Sequence, residues 1–241
     1  MGAIIKIQLS AFSNKKVLPS TDNIAKIMLS LKENFGIELL PSILNTQKID
    51  ISNGMIKTVP NLSFSSMDNT EQVICSENRI DCIFNFSVEH QEETEGKFKA
   101  ASDVLKFIME KEKIIANRLA LNVTFLSNIC SKNSVFETQV MHVMPFYRNK
   151  TLKEWSSRTN AIGKMIINNV EEELNIITEY THVTESATKE ARIICHADIN
   201  TIAENNDFRF ECLSVEFFER QAKEIFSEIQ LDLEGLVTDG K

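Results

Sequence analysis

The sequence predicts an α+β fold: mainly antiparallel sheet in two similar halves, packed by three main helices including a long C-terminal one. Two observations carry this expectation. Alternating apolar and polar residues recur along the chain, from Ala3, Ile5, Ile7, Leu9 and Ala11 to Ile193, Cys195, Ala197 and Ile199. Period two marks strands with one buried face. Three other stretches repeat at helical spacing and separate runs of strands, an order that suits antiparallel sheet with helices packed against it.

Residues 3–12 are the first expected strand. Ser20 is placed to N-cap a helix whose stripe is Ile24, Ile27, Met28, Leu31 and Phe35, and Gly36 is placed to stop it. Pro41 inside the next strand, Ile37 to Leu44, marks an edge or a bulge. Asn53-Gly54, between Lys48–Ile51 and Met55–Val59, asks for a two-residue type I′ hairpin. Strands near Leu62–Ser66 and Glu71–Ser76 follow. After a turn at Glu77-Asn78, Ile80, Cys82, Phe84, Phe86 and Val88 face in, while Asp81, Asn85, Ser87 and Glu89 face out.

A helix from Glu95 to Ala116 is expected next, with Phe98, Ala101, Leu105, Ile108 and Ile115 on its apolar side. A strand from Arg118 to Ser127 follows. Residues 128–160 suggest only a strand over Val140 to Tyr147 and an anchor at Trp155. Lys164–Val170 and Leu174–Val183 read as strands joined by the acidic turn Glu171-Glu172-Glu173. The strand around Arg192–Ile199 then feeds a helix from Phe210 to Leu236. The whole is expected to be one domain with pseudo-halves 1–90 and 91–241, since no linker composition separates them.

A net charge of −8 without clustered Lys or Arg argues against direct contact with nucleic acid, which needs several grouped cations. No apolar run reaches membrane-spanning length, and the N-terminus lacks the apolar core of a signal peptide. Cys75, Cys82, Cys130, Cys195 and Cys212 are odd in number and form no C-x-x-C pair. They read as reduced core residues of a cytoplasmic protein.

Chemistry is sparse. Gly96-Lys97 and Gly163-Lys164 lack the glycine spacing and hydroxyl of a P-loop, and neither a nucleophile elbow nor H-E-x-x-H occurs. Asp81 with Glu95-Gly96-Lys97 has the D…E-x-K form of metal-dependent nucleases, but its E-x-K lies in a polar helix start where acids suit the dipole. No two of His90, His142, His182 and His196 are spaced as a metal pair. No catalytic residue, metal site or cofactor is therefore assigned. Arg192, His196 and Asp198 share the outward face of their strand and form a candidate polar surface site. On the terminal helix Phe217, Phe218, Ile225, Phe226 and Ile229 widen the apolar side and form a candidate interface.

Phe125-Leu126-Ser127-Asn128, the strand Ile194 to Asp198 and the helix segment Phe217 to Phe226 together resemble a sporadically distributed, uncharacterised prokaryotic family of about this length. That family carries an aromatic-Ile-Asn signature on a central strand. This chain departs from it, with Phe for the usual Tyr and an extra residue before Asn. The resemblance implies a patchily inherited bacterial accessory gene, of a kind found beside defence or toxin genes. The expected function is a non-enzymatic accessory, adaptor or neutralising subunit that binds an operon partner protein or forms a homo-oligomer. A metal-dependent nuclease or hydrolase, and a small-ligand sensor with its pocket between two sheet faces, are the alternatives.

Overall fold

The structure, a computed structural model, describes residues 2–49, 54–89, 91–130, 155–184, 188–203 and 207–238. Its strands are β1 Ala3–Ser13, β2 Leu40–Ile49, β3 Ile56–Ser65, β4 Glu71–Cys75, β5 Arg79–Asn85, β6 Ala116–Leu126, β7 Ser156–Ile167, β8 Val170–Thr184 and β9 Ala191–Thr201. The helices are α1 Thr21–Phe35, α2 Thr94–Glu112 and α3 Cys212–Thr238. All nine strands form one antiparallel sheet in the order β2-β3-β4-β5-β1-β6-β9-β8-β7.

The fold class expected from the sequence is the fold observed. β1 and β6 lie side by side at the centre, β5 flanks one and β9 the other. After β5 the chain enters α2, which packs on β1 and β5. After β9 it enters α3, which packs on β6, β7 and β9. Each of these two helices thus follows a strand that borders the central pair, α2 after β5 and α3 after β9. A single sheet also leaves no space between two sheet faces for a ligand. Two clefts border the sheet, one beside Phe12, Val59 and Arg79 and one beside Glu71, Phe84 and Lys97.

Periodicity explains the core. Ile7, Leu9 and Ala11 on β1, Leu119, Leu121, Val123 and Phe125 on β6, and Ile193, Cys195, Ala197 and Ile199 on β9 are all buried. The helices cover this face with Ile27 and Leu31 of α1, Phe98, Leu105 and Ile108 of α2, and Phe218, Ala222, Phe226 and Leu233 of α3. Phe125 meets Phe226 edge-on with ring centroids 6.4 Å apart. α1 starts and stops where its residues dictate. Ser20 Oγ accepts from the Asn23 N–H at 3.2 Å, and Gly36 turns left-handed at φ 65° with its N–H on the last carbonyls.

Four local expectations are corrected. The β2–β3 register pairs Ile49 with Ile56, two residues away from what a tight turn at Asn53-Gly54 would give; Asn53 itself lies outside the described residues. β3 runs unbroken through Pro60. The Pro60 carbonyl accepts from Lys16 Nζ at 2.5 Å, so this residue's ladder groups point away from β2, where a missing N–H costs nothing. Glu171-Glu172-Glu173 is not a turn but part of β8. The turn is Asn168-Asn169, both left-handed at φ 51° and 65°, with Ile167 paired to Val170, as in a type I′ hairpin. α2 ends at Glu112, because Lys113 turns left-handed and Ala116 already belongs to β6. The expected strand over Val140 to Tyr147 lies outside the described residues. Trp155 stacks on His182 at 6.0 Å.

Candidate partner-binding surface

Arg192, His196 and Asp198 share the sheet face opposite the helices, as alternation requires, but they do not form a joined site. Arg192 donates to the Ser127 carbonyl at 3.1 Å, and His196 Nδ1 lies 3.0 Å from Thr124 Oγ1. Asp198 accepts from Asn200 Nδ2 at 2.9 Å. Each side chain is tied to a different neighbour, His196 to Thr124 and Asp198 to Asn200. Cys195 points to the opposite face, where burial pushes its thiol up to about 12. That is the wrong direction for a nucleophile.

The nuclease-like residues are also dispersed. Asp81 is buried on the outer face and accepts from Ser10 Oγ at 2.6 Å, Arg79 Nε at 2.8 Å and Gln8 Nε2 at 3.1 Å. Glu95 pairs with Lys223 of α3, and Lys97 pairs with Glu71 of β4. Among the described residues no three His, Cys, Asp or Glu side chains gather as metal ligands. A cleft of about 480 Å³ lies beside the start of α2, rimmed by Asp68, Glu71, Glu89, Glu93 and Lys97. The hydroxyl of Ser66 and the N–H and hydroxyl of Thr70 hold the Asp68 carboxyl down at about 2.

On α3 the expected interface divides. Phe218 and Phe226 are buried in the chain's own core, so no partner reaches them. Ile225 and Ile229 pack against that core from its border. Only Phe217 stands out, 41% exposed with the Arg220 guanidinium 5.7 Å from its ring centre. The sheet was too wide for the expectation: α2 and α3 together cover it, and Lys106–Glu216 at 2.5 Å ties the two helices.

The surface that sequence reasoning missed is the β2 edge. β4 pairs only with Leu62 to Ser65 of β3, whereas β2 pairs with β3 along its whole length. The rest of the hairpin therefore projects as a two-stranded ribbon. Every described side chain from residue 54 to 58 is exposed there, as are Gln47 and Ile49. Ile49, Met55 and Ile56 are each about two-thirds exposed, at 68%, 66% and 64%; Ile43 continues the face of Ile49 and Ile56 toward the root, and Leu40 and Leu44 are exposed on the opposite face. Isolated two-stranded ribbons are marginal in water, and exposed apolar edges template pairing with another chain. The signal was present in the sequence as apolar residues on both sides of the Asn-Gly pair. Alternation could not say that neither face would be covered.

No protein-family model matches this chain, and no curated protein matches it either.

Proposed function

We propose that this protein is a non-enzymatic binding subunit, an accessory, adaptor or neutralising protein that docks on an operon-encoded partner protein through the β2–β3 ribbon. One observation carries the reading: a projecting edge ribbon that keeps Ile49, Met55 and Ile56 in water. A protein partner suits it because an extended segment or open strand supplies both the missing ladder bonds along β2 and apolar cover for these side chains. The engagement of Asp81, Glu95 and Lys97 in separate contacts supports binding over hydrolysis. A setting beside bacterial defence or toxin genes is what the resemblance in the sequence would imply for such a subunit. Co-expression with the neighbouring gene products tests this. Wild-type protein is expected to elute with one of them, and Ile49→Asp/Ile56→Asp to elute without it while melting at the wild-type temperature. Co-elution that survives the double substitution would refute the ribbon's role.

A further inference from the structure

β7, at the other end of the sheet, is an open edge of a different kind. Its 12 residues contain no proline, and their register with β8 runs without a bulge from Ser156–Thr181 to Ile167–Val170. Among the described residues it therefore carries neither a proline nor a bulge to blunt the edge. Its only charged residues are Arg158 and Lys164, and β8 answers both: Lys164 Nζ lies 2.6 Å from Glu171, and Arg158 is registered opposite Glu179.

One end of this edge is already closed. Gln221 of α3 donates from Nε2 to the Ile166 carbonyl at 2.6 Å and accepts the Ile166 N–H at Oε1 at 3.1 Å. Its amide thus takes the place of a neighbouring strand. The contact also fixes which residues face outward. Since Ile166 turns its backbone groups to the edge, alternation has Ser156, Arg158, Asn160, Ile162 and Lys164 do the same. Among the described residues no strand pairs with the outward groups of those five.

We propose that this open stretch pairs antiparallel with the same stretch of a second copy, about a twofold axis at Asn160. The register is the one that pairs the most open residues without setting like charges together. An axis at Ala161 would set Arg158 opposite Lys164 of the partner subunit, like charge on like. An axis at Ile162 would need the Ile166 groups that Gln221 holds. An axis at Asn160 pairs all five open residues, whereas one at Thr159 pairs only four and leaves Lys164 out. It sets Arg158 against Ile162 of the partner subunit, Ser156 against Lys164 of the partner subunit, and Asn160 against its own equivalent. This self-complementarity singles out a second copy as the occupant. The two sheets then become continuous, with one ribbon at each far end, so the dimer is bivalent for the partner proposed above. The pairing itself does not depend on that partner.

The experiment is the mass of the purified full chain by light scattering and sedimentation, for wild type, Ile162→Lys and Ile162→Glu. Ile162 is 62% exposed, so both substitutions leave the folded chain intact, and thermal melts check this. Wild type is expected at twice 27.4 kDa. Lys at position 162 faces Arg158 twice across the axis and weakens association by about tenfold or more, whereas Glu meets the same Arg158 as a counter-charge and keeps the dimer. A wild-type monomer, equal dissociation by both substitutions, or a dimer indifferent to Lys would each overturn the proposal. Ile49→Asp/Ile56→Asp leaves the dimer unchanged, which separates this result from that of the ribbon.

Discussion

The centre of the sheet and its edges obey different rules. β1, β6 and β9 bury nearly every inward side chain under α2 and α3. Their outward residues are satisfied too: Asp81 on the adjoining β5 has three donors, and His196 has Thr124. At β2 apolar side chains stand in water, and along β7 a row of backbone groups lacks strand neighbours except where Gln221 fills in. The contrast separates stability from binding. Central substitutions should unfold the protein, and edge substitutions should change only what it associates with.

The largest effect is expected from Phe218→Ala. Phe218 has no exposed surface, and removing such a ring costs about 3–5 kcal/mol through lost burial and the cavity left behind. A shift of the urea midpoint well below wild type checks it. Arg209→Ala should come next, at about 3 kcal/mol. Arg209 pairs with Glu172 at 2.7 Å and also donates to the carbonyls of Asn117, Asp207 and Ile202. Truncation leaves the nearly buried Glu172 without its counter-charge. Glu172→Gln should cost less than Arg209→Ala, since the amide oxygen still accepts.

A smaller, pH-dependent effect separates the buried thiols from the rest. Burial is the main cause that pushes Cys75 and Cys195 up to about 12, while an unfolded thiol ionises near its ordinary value of 9.0. The folded state therefore holds protons that the unfolded state gives up, so stability is constant below about pH 9 and falls between there and about pH 12. At pH 10 each thiol removes about 1.4 kcal/mol. Denaturant titrations at pH 8 and pH 10, with and without Cys75→Ala/Cys195→Ala, check the sign. A steeper loss in the double variant would contradict it. In native protein at pH 8, Cys212, the one cysteine not fully buried, should be labelled first.

What could be read from the sequence follows the same division. Central strands were legible because alternation needs only one covered face, and α1 because Ser20 caps its start through its hydroxyl and Gly36 ends it by adopting the left-handed backbone. Glu171-Glu172-Glu173 misled because charge suggested a turn. Glu172 instead sits at the end of the sheet, where Arg209, 37 residues later in the chain, reaches it. The true turn, Asn168-Asn169, lacks the glycine that usually announces positive φ. The candidate polar site on β9 was placed on the right face, but which neighbour each side chain would bind depends on β6, which its own strand cannot specify. Phe218 and Phe226 were mistaken for partner surface because the width of the sheet beneath α3 is not encoded in α3 itself.

The smallest effect on folding, and the largest on association, belongs to the ribbon. Ile49→Asp/Ile56→Asp should change stability by no more than about 0.5 kcal/mol, because both side chains are already in water. The most direct measurement is therefore purification of wild type and this double variant from the native host, with the mass of each complex determined by light scattering. The account predicts that wild type carries a stoichiometric operon partner and that the folded double variant does not. A wild-type chain that emerges without any partner, at the same mass as the variant, would contradict it.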